Sequence, residues 1–400
     1  MLKEFQALES NQTWDIVPLP PHKKVIPCKW VYKIKQRADG SIEIYKTRLV
    51  IRGDTQREGI DFTETSSPVV TLTTIKCLLA LVVKMGWTIF QLDVNNVFLH
   101  DDLHEEVYIK IPPKMDVSST SESSPFIYRL KKSLYGLRQA SRQWFSKLSE
   151  ALHSRGYISS LNDYSLFTKS SSDSLVVLAV YVDDILLVVD DISELNSLKQ
   201  FLDSQFKIKD LGLVHYFLGL EISQHPQGYL MNQQKYTTDL LQEFNFHHFS
   251  PVTTPLDSYV KLTMDMGTPV SDPNIYRRLI GKLNFLQHTT PDISFFVQYL
   301  SQFLQKPQVP HMMAVIHVLR YLMNDPAQGI LLSSSDDLSL VGFSDSDWGS
   351  CAISRKSVSR FYISLSGSLV SCKSKKYPTI SLSSAEDEYR ALRKLVADVV

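Results

Sequence analysis

The 400-residue chain has no excess of charge of either sign, since 42 Lys and Arg stand against 42 Asp and Glu. Bulk positive charge therefore does not mark it as a nucleic-acid binder, and any such partner has to be met by local patches. Cysteine is scarce too. Cys28, Cys77, Cys351 and Cys372 include no Cys-x-x-Cys pair, which argues against a zinc knuckle and a disulfide framework and makes a reducing, intracellular and cytoplasmic setting the expectation. No apolar stretch of signal-peptide length opens the chain, because Lys3, Glu4 and Glu9 interrupt it. The most apolar segment, Leu175 to Val189, is broken at its centre by Asp183 and Asp184, which a membrane span tolerates only at high cost. It reads as buried sheet, and neither secretion nor a membrane partner is expected. Missing as well are an Asp-Thr-Gly or Asp-Ser-Gly protease motif and a His-Cys zinc motif.

What the chain does have is apolar mass: 44% of its residues are hydrophobic, enough for two or three domains with their own cores. Its positive charge is concentrated. From His22 to Arg52, nine Lys or Arg face only Asp39 and Glu43, and from Arg129 to Arg155 seven Lys or Arg face Glu150 alone. In the first of these stretches Ala38-Asp39-Gly40-Ser41 separates Lys29–Ile34 from Ile42–Tyr45, the pattern of a β-hairpin. A basic hairpin suits phosphate, although a solvated charged hairpin would have the same composition.

Ile75, Leu78, Leu79, Val82 and Val83 follow helical spacing and Gly86 supplies a stop, so a helix is predicted from about Thr73. The run Trp87–Val94 is β-branched and aromatic and is predicted as a strand ending at Asp93. Asp116 to Ser124 is a Ser-rich loop. Leu175–Tyr181 and Ile185–Val189 flank Val182-Asp183-Asp184 as a tight hairpin with acid at its tip. A helix near Ile192–Phe206, strands around Tyr216–Met231, helices over roughly Tyr276–Leu322 and a domain boundary around Asp325–Ser335 follow. The tail reads as strands Leu340–Phe343, Val358–Ser364 and Ser368–Cys372 and a helix from Ser384.

Asp-Asp occurs four times, beginning at 101, 183, 190 and 336, so the dipeptide alone says little. Only Asp183 and Asp184 interrupt strands so apolar that the carboxylates must reach solvent or be compensated by a cation. With Asp93 on a neighbouring strand they would suit Mg²⁺ or Mn²⁺, which take oxygen ligands. Such a trio can hold two ions about 3.5–4 Å apart for phosphoryl transfer. An acidic surface turn is the simpler alternative for the pair.

Five longer words are more specific: Lys29-Trp30-Val31-Tyr32-Lys33-Ile34-Lys35, Gln91-Leu92-Asp93-Val94-Asn95-Asn96, Leu130-Lys131-Lys132-Ser133-Leu134-Tyr135-Gly136-Leu137, Tyr181-Val182-Asp183-Asp184 and Tyr216-Phe217-Leu218-Gly219-Leu220-Glu221-Ile222. In sequence and order they resemble the motifs of copia-type LTR retrotransposon reverse transcriptases, over essentially the whole chain from about Thr13. The resemblance implies an α+β right-hand polymerase of fingers, palm and thumb, followed by an incomplete RNase H-like α/β domain. Residues 1–250 would be fingers and palm with the primer-grip region, 251–330 the thumb and connection helices, and 331–400 the partial RNase H-like domain.

By the same likeness Asp93, Asp183 and Asp184 are the catalytic, metal-binding carboxylates. Phe98 stands at the aromatic gate against a ribose 2′-hydroxyl, with a core aromatic as the alternative. Tyr135 and Gly136 belong to a motif that lets template and nucleotide approach the backbone. Arg48 and Lys46 lie where the fingers bind triphosphate, and Leu218-Gly219 is similar to a primer grip. In the tail, Asp345 and Glu388 match two of the four usual RNase H acids. The next strand and its aspartate would lie beyond Val400, so no cleavage activity is expected of the tail. Glu386 is explained by the capping box Ser383-x-x-Glu386.

Departures from the family are Thr47 for a usual Ala, Asp101 for Gly, Thr290 for Arg and Arg360 for Gly, the last expected to strain the tail if the glycine there serves a positive φ or close packing. The implied partners are an RNA template, a DNA primer, dNTPs and the other parts of a Gag and Pol polyprotein in a virus-like particle. A degenerate or co-opted relic that at most binds nucleic acid is the rival reading. Another two-metal phosphohydrolase would leave the ordered motifs unexplained.

Overall fold

The computed structural model describes residues 2–36, 41–112, 126–171, 174–256, 261–333, 338–351 and 353–399. The turn expected at Ala38–Gly40 and the Ser-rich loop expected at Asp116–Ser124 lie outside them. Helices and sheets are mixed throughout, an α+β arrangement. Internal contacts divide the chain into one unit of Met1–Val70 and Ile89–Gly212 and a second of Thr71–Thr88 and Leu213–Val400.

The first unit is built around a six-stranded sheet in the order Ile208–Leu213, Thr88–Val94, Asp184–Val189, Leu175–Tyr181, Leu166–Ser170, Ile158–Ser159. Its centre is the hairpin of the two most apolar strands, paired in register from Val176↔Val189 to Tyr181↔Asp184. One face, carrying Val176, Leu178, Val180, Ile185, Leu187 and Val189, packs on the helices Ala140–Ser154 and Ile192–Phe206 through Trp144, Leu148, Leu152, Leu195, Leu198 and Leu202. Leu186 and Val188 on the opposite face are also 0% exposed. Burial on both faces explains the continuous apolar run, with each Val, Leu or Ile contributing about 1.5–3 kcal/mol.

The basic hairpin forms as the spacing predicts, Cys28–Gln36 against Ile42–Ile51. Among its described side chains the buried ones lie at the base: Leu49 and Ile51 join a core with Leu8, Trp14, Tyr128 and Leu134, whereas Tyr32, Ile34, Ile44 and Tyr45 are exposed.

In the second unit the helix Leu72–Met85 starts at Thr71, whose side chain accepts from the Thr74 amide. It stops at Gly86 with φ 66°, a left-handed cap that suits glycine. A four-stranded sheet runs in the order Tyr216–Phe217, Leu220–His225, Gly228–Asn232, Gly329–Ser333. The stretch expected to mark a boundary at Asp325–Ser335 thus carries a strand that pairs back onto Gly228–Asn232. Helices Pro273–Leu286, Ser294–Leu300 and Val309–Leu322 share one core.

The tail forms the three expected strands, Leu340–Asp347, Val358–Leu365 and Ser368–Lys376, in that order, with the helix Ser384–Val399 against them. Arg360 departs from the expected strain. It lies in a regular strand opposite Asp345, is absent from the positive-φ residues, forms an ion pair with Asp347 and stands 4.4 Å over the Phe295 ring. An extended backbone accepts an arginine, so the backbone is not strained there, although Arg360 Nε is buried without a hydrogen-bond partner.

Candidate active site

Asp93, Asp183 and Asp184 lie at one end of the six-stranded sheet, positioned by backbone pairing. Val182 and Asp183 form the turn between the central strands, and Val182 adopts φ 54°. A β-branched residue rarely takes that conformation, at a cost of roughly 1–3 kcal/mol. Two contacts hold the turn: Trp144 Nε1 donates to the Val182 carbonyl at 2.8 Å, and the Val94 amide donates to the Asp183 carbonyl at 2.9 Å. The second bond ties the turn to the strand residue that follows Asp93, so Asp93 and Asp183 are neighbours across adjacent strands.

Asp184, half-buried, accepts a hydrogen bond from Gln91 Nε2 at 3.3 Å. Burial pushes its carboxyl above the ordinary carboxylate value, the Gln91 bond opposes this, and the charges of Asp183 and Asp93 push the same way as burial. The chemistry of this donor set fits a hard divalent cation. Among the described residues, no three acidic, histidine or cysteine side chains already stand close enough to hold a metal ion.

Phe98 and Tyr135 meet edge to face with ring centroids 4.8 Å apart, and the Arg48 guanidinium lies 4.0 Å over the Tyr135 ring. Burial pushes the Tyr135 hydroxyl up to about 12, Arg48 acting against this and Asp183 and Asp93 with it. Those electrostatic contacts put Tyr135, Arg48 and the aspartates in one neighbourhood. Lys46 lies two residues before Arg48 on the same strand, hence on the same face. Burial pushes the Glu4 carboxyl above its ordinary value, and the charges of Arg48 and Lys46 oppose this.

Gly136 has a reason that the sequence did not show. A Cβ there would stand 2.1 Å from the Ile51 carbonyl oxygen, and one on Gly53 would stand 2.0 Å from the Gly136 carbonyl oxygen. The close approach is between two segments of this chain. Around it the Ile51 amide donates to Tyr135 O at 2.8 Å, Arg138 Nε donates to Gly53 O at 2.9 Å, and Gln56 and Gln139 bond each other at 3.1 Å. Gly53, Gln56, Arg138, Gln139, Trp144 and Gln91 were not singled out from sequence. Of these, only Gln91 carried a signal, its two-residue spacing from Asp93 on a strand.

The remaining candidates belong to the second unit. Leu218 and Gly219, with φ 51° and 82°, form the two-residue turn between Phe217 and Leu220. Two positive φ values are what such a hairpin turn requires. A Cβ on Gly219 would stand 2.8 Å from Phe285 Cζ. Asp345 and Glu388 are both exposed. The buried acid among the described residues of the tail is instead Asp387, 0% exposed, which accepts from Ser346 Oγ at 2.6 Å and Ser381 Oγ at 2.7 Å. Glu386 caps the helix as expected: the Glu386 amide donates to Ser383 Oγ and Glu386 accepts from the Leu382 amide.

Asp93, Asp183 and Asp184 thus lie at one end of a buried sheet, with Arg48 of the basic hairpin in the same neighbourhood. Residues 11–258 match the family model described as reverse transcriptase (RNA-dependent DNA polymerase). Over 393 residues the chain is 39% identical to the retrovirus-related Pol polyproteins from transposons RE1 and RE2 of Arabidopsis thaliana. Both alignments cover 98% of this chain and 27% of the relative. It is 35% identical to the corresponding polyprotein from transposon TNT 1-94 of Nicotiana tabacum, covering 98% of this chain and 30% of that one. The chain belongs to the reverse transcriptase family of copia-type retrotransposon Pol polyproteins, and it spans less than a third of the length of these relatives. No helix among the described residues is long and apolar enough to cross a membrane.

Proposed function

We propose that this chain extends a DNA primer on an RNA template, with Asp93, Asp183 and Asp184 holding Mg²⁺ or Mn²⁺ at the growing end. The observation that carries the reading is the Val94–Asp183 backbone bond, which brings the acid of one strand beside the acidic turn of the next. The raised Asp184 carboxyl supports it: burial first, and then the charges of Asp183 and Asp93, disfavour its ionised form, and a cation would relieve both. A bound divalent ion would lower the pKa of the primer 3′-hydroxyl and neutralise charge on the phosphate oxygens.

The residues of the chain then divide the remaining work. Gln91 orients Asp184 through its hydrogen bond. Arg48 and Lys46, on the hairpin that serves as fingers, meet the triphosphate of the incoming dNTP. Phe98, backed by Tyr135, blocks the space a ribose 2′-hydroxyl would need. Gly136, beside Tyr135, fixes the base of the fingers to the turn that follows Leu134, where template and nucleotide would approach the backbone. In this reading 1–250 is fingers and palm, with Leu218-Gly219 as primer grip, 251–330 is thumb and connection, and 331–400 is an RNase H-like segment bearing Asp345 and Glu388. Primer and template are met by backbone contacts, so local basic patches suffice without net charge. Primer extension on an RNA template is the test: Asp183→Asn should remove most activity with the fold intact by circular dichroism, and full activity in that folded variant overturns the assignment.

A further inference from the structure

Within the second unit lies a cavity of about 220 Å³ between the start of the Leu72–Met85 helix, the end of the Pro273–Leu286 helix and the Ser368–Lys376 strand. Lys76 is only 5% exposed and lines it. No hydrogen bond or ion pair engages its ammonium among the described residues. An unpaired buried cation costs several kcal/mol unless something answers it. The groups whose charge reaches it are Cys77, Cys372 and His288. Asp292, whose charge reaches Cys372, is engaged by Tyr321 and Gln328. No carboxylate is therefore paired with Lys76.

The rest of the lining also offers donors. Ser374 Oγ is buried without a hydrogen-bond partner. Leu72 and Thr73, in the first turn of a 14-residue helix, have amides with no intrahelical acceptor and sit at its positive end. Asn284 accepts from Gln287 Nε2 at 2.6 Å, which leaves its own amide protons for another acceptor. An ammonium, an orphaned hydroxyl and a helix N-terminus around one cavity form a built receptor for negative charge.

We propose that this cavity binds a tetrahedral oxyanion of phosphate size, with Lys76 as its counter-ion and Ser374 and the helix amides as hydrogen-bond donors. The site lies outside the aspartate trio and does not depend on the polymerase reading. Burial lowers the Lys76 ammonium to about 8, so most of it is charged at pH 7, and a bound anion would raise that value.

Isothermal titration of the full 400-residue protein with inorganic phosphate at pH 7, in chloride buffer of matched ionic strength, tests the proposal. Saturable binding that weakens by about tenfold or more in Lys76→Met is expected, as for loss of a charge-assisted bond. A parallel titration with dAMP separates sources: tighter binding than phosphate assigns the site to a nucleotide's phosphate, and equal or weaker binding assigns it to the free ion. Nuclear magnetic resonance of the lysine Cε carbons gives a second readout on the unmutated protein, in which the Lys76 pKa should rise when phosphate replaces chloride. Absence of saturable binding, binding unchanged in a folded Lys76→Met protein, or a Lys76 pKa indifferent to phosphate overturns the proposal.

Discussion

Replacing Gly136 by alanine should open the junction between the basic hairpin and the turn that follows Leu134. Gly136 has φ 94°, and a left-handed conformation costs an L-residue about 1–2 kcal/mol. Its new Cβ would stand 2.1 Å from the Ile51 carbonyl oxygen and 2.8 Å from Val50 Cγ1. Because the first contact is backbone, relief requires the hairpin base to move, and overpacking of this kind costs roughly 1–3 kcal/mol more. Gly86→Ala is the control, since Gly86 has φ 66° but nothing lies within 4 Å of its added Cβ. It should lose only the conformational part, about 1–2 kcal/mol. Amide hydrogen exchange reports the junction directly, because the Ile51 amide donates to Tyr135 O at 2.8 Å. In Gly136→Ala its protection should fall by roughly 30-fold or more, the lower end of the summed cost, while Gly86→Ala leaves it unchanged. Unaltered Ile51 protection in Gly136→Ala would refute the steric reasoning.

Other perturbations separate function from stability. The folded-state carboxyl of Asp184 titrates above its ordinary value, so without a cation stability should fall as pH rises from the ordinary carboxylate pKa, about 4, through the raised one. Asp184→Asn removes that loss, and urea unfolding at pH 7 should find it at least as stable as the parent while primer extension is lost; lower stability at pH 7 would contradict the sign. Phe98→Ala should raise ribonucleotide relative to deoxynucleotide incorporation by roughly tenfold or more, and an unchanged ratio would make Phe98 a packing partner of Tyr135 only. Arg360→Gly should destabilise the tail by about 1 kcal/mol, through a glycine in mid-strand and loss of the Asp347 pair, whereas a gain in thermal stability would show that the arginine is strained after all.

Local chemistry was legible where short-range rules decide it. The Leu72–Met85 helix follows from its apolar spacing and Gly86, and the Leu175–Val189 hairpin follows from two apolar runs around an acidic pair. The strand predicted to end at Asp93 ends one residue later, at Val94. Gly136 was singled out for the approach of template and nucleotide, whereas the close approach in the structure is to Ile51, a contact between distant segments that no local pattern encodes. Gln91 and Asp184 are 93 residues apart, and only sheet pairing brings them together. Arg360 could not be judged from a one-residue comparison, because its backbone is extended and Asp347 and Phe295 receive its side chain. In Glu386-Asp387-Glu388 the sequence offers three acids on successive residues, and helix rotation decides that Asp387 is the buried one.

Affinity cleavage tests most directly whether Asp93, Asp183 and Asp184 hold a divalent cation at one end of the six-stranded sheet. Ferrous iron substituted for magnesium, with ascorbate and peroxide, cuts the backbone beside its binding site, so fragment mapping in the presence of primer and template locates the ion. Cuts near residues 93 and 183 that disappear in Asp93→Asn are predicted. Cleavage elsewhere, or cleavage at those positions that persists in the folded variant, would contradict it.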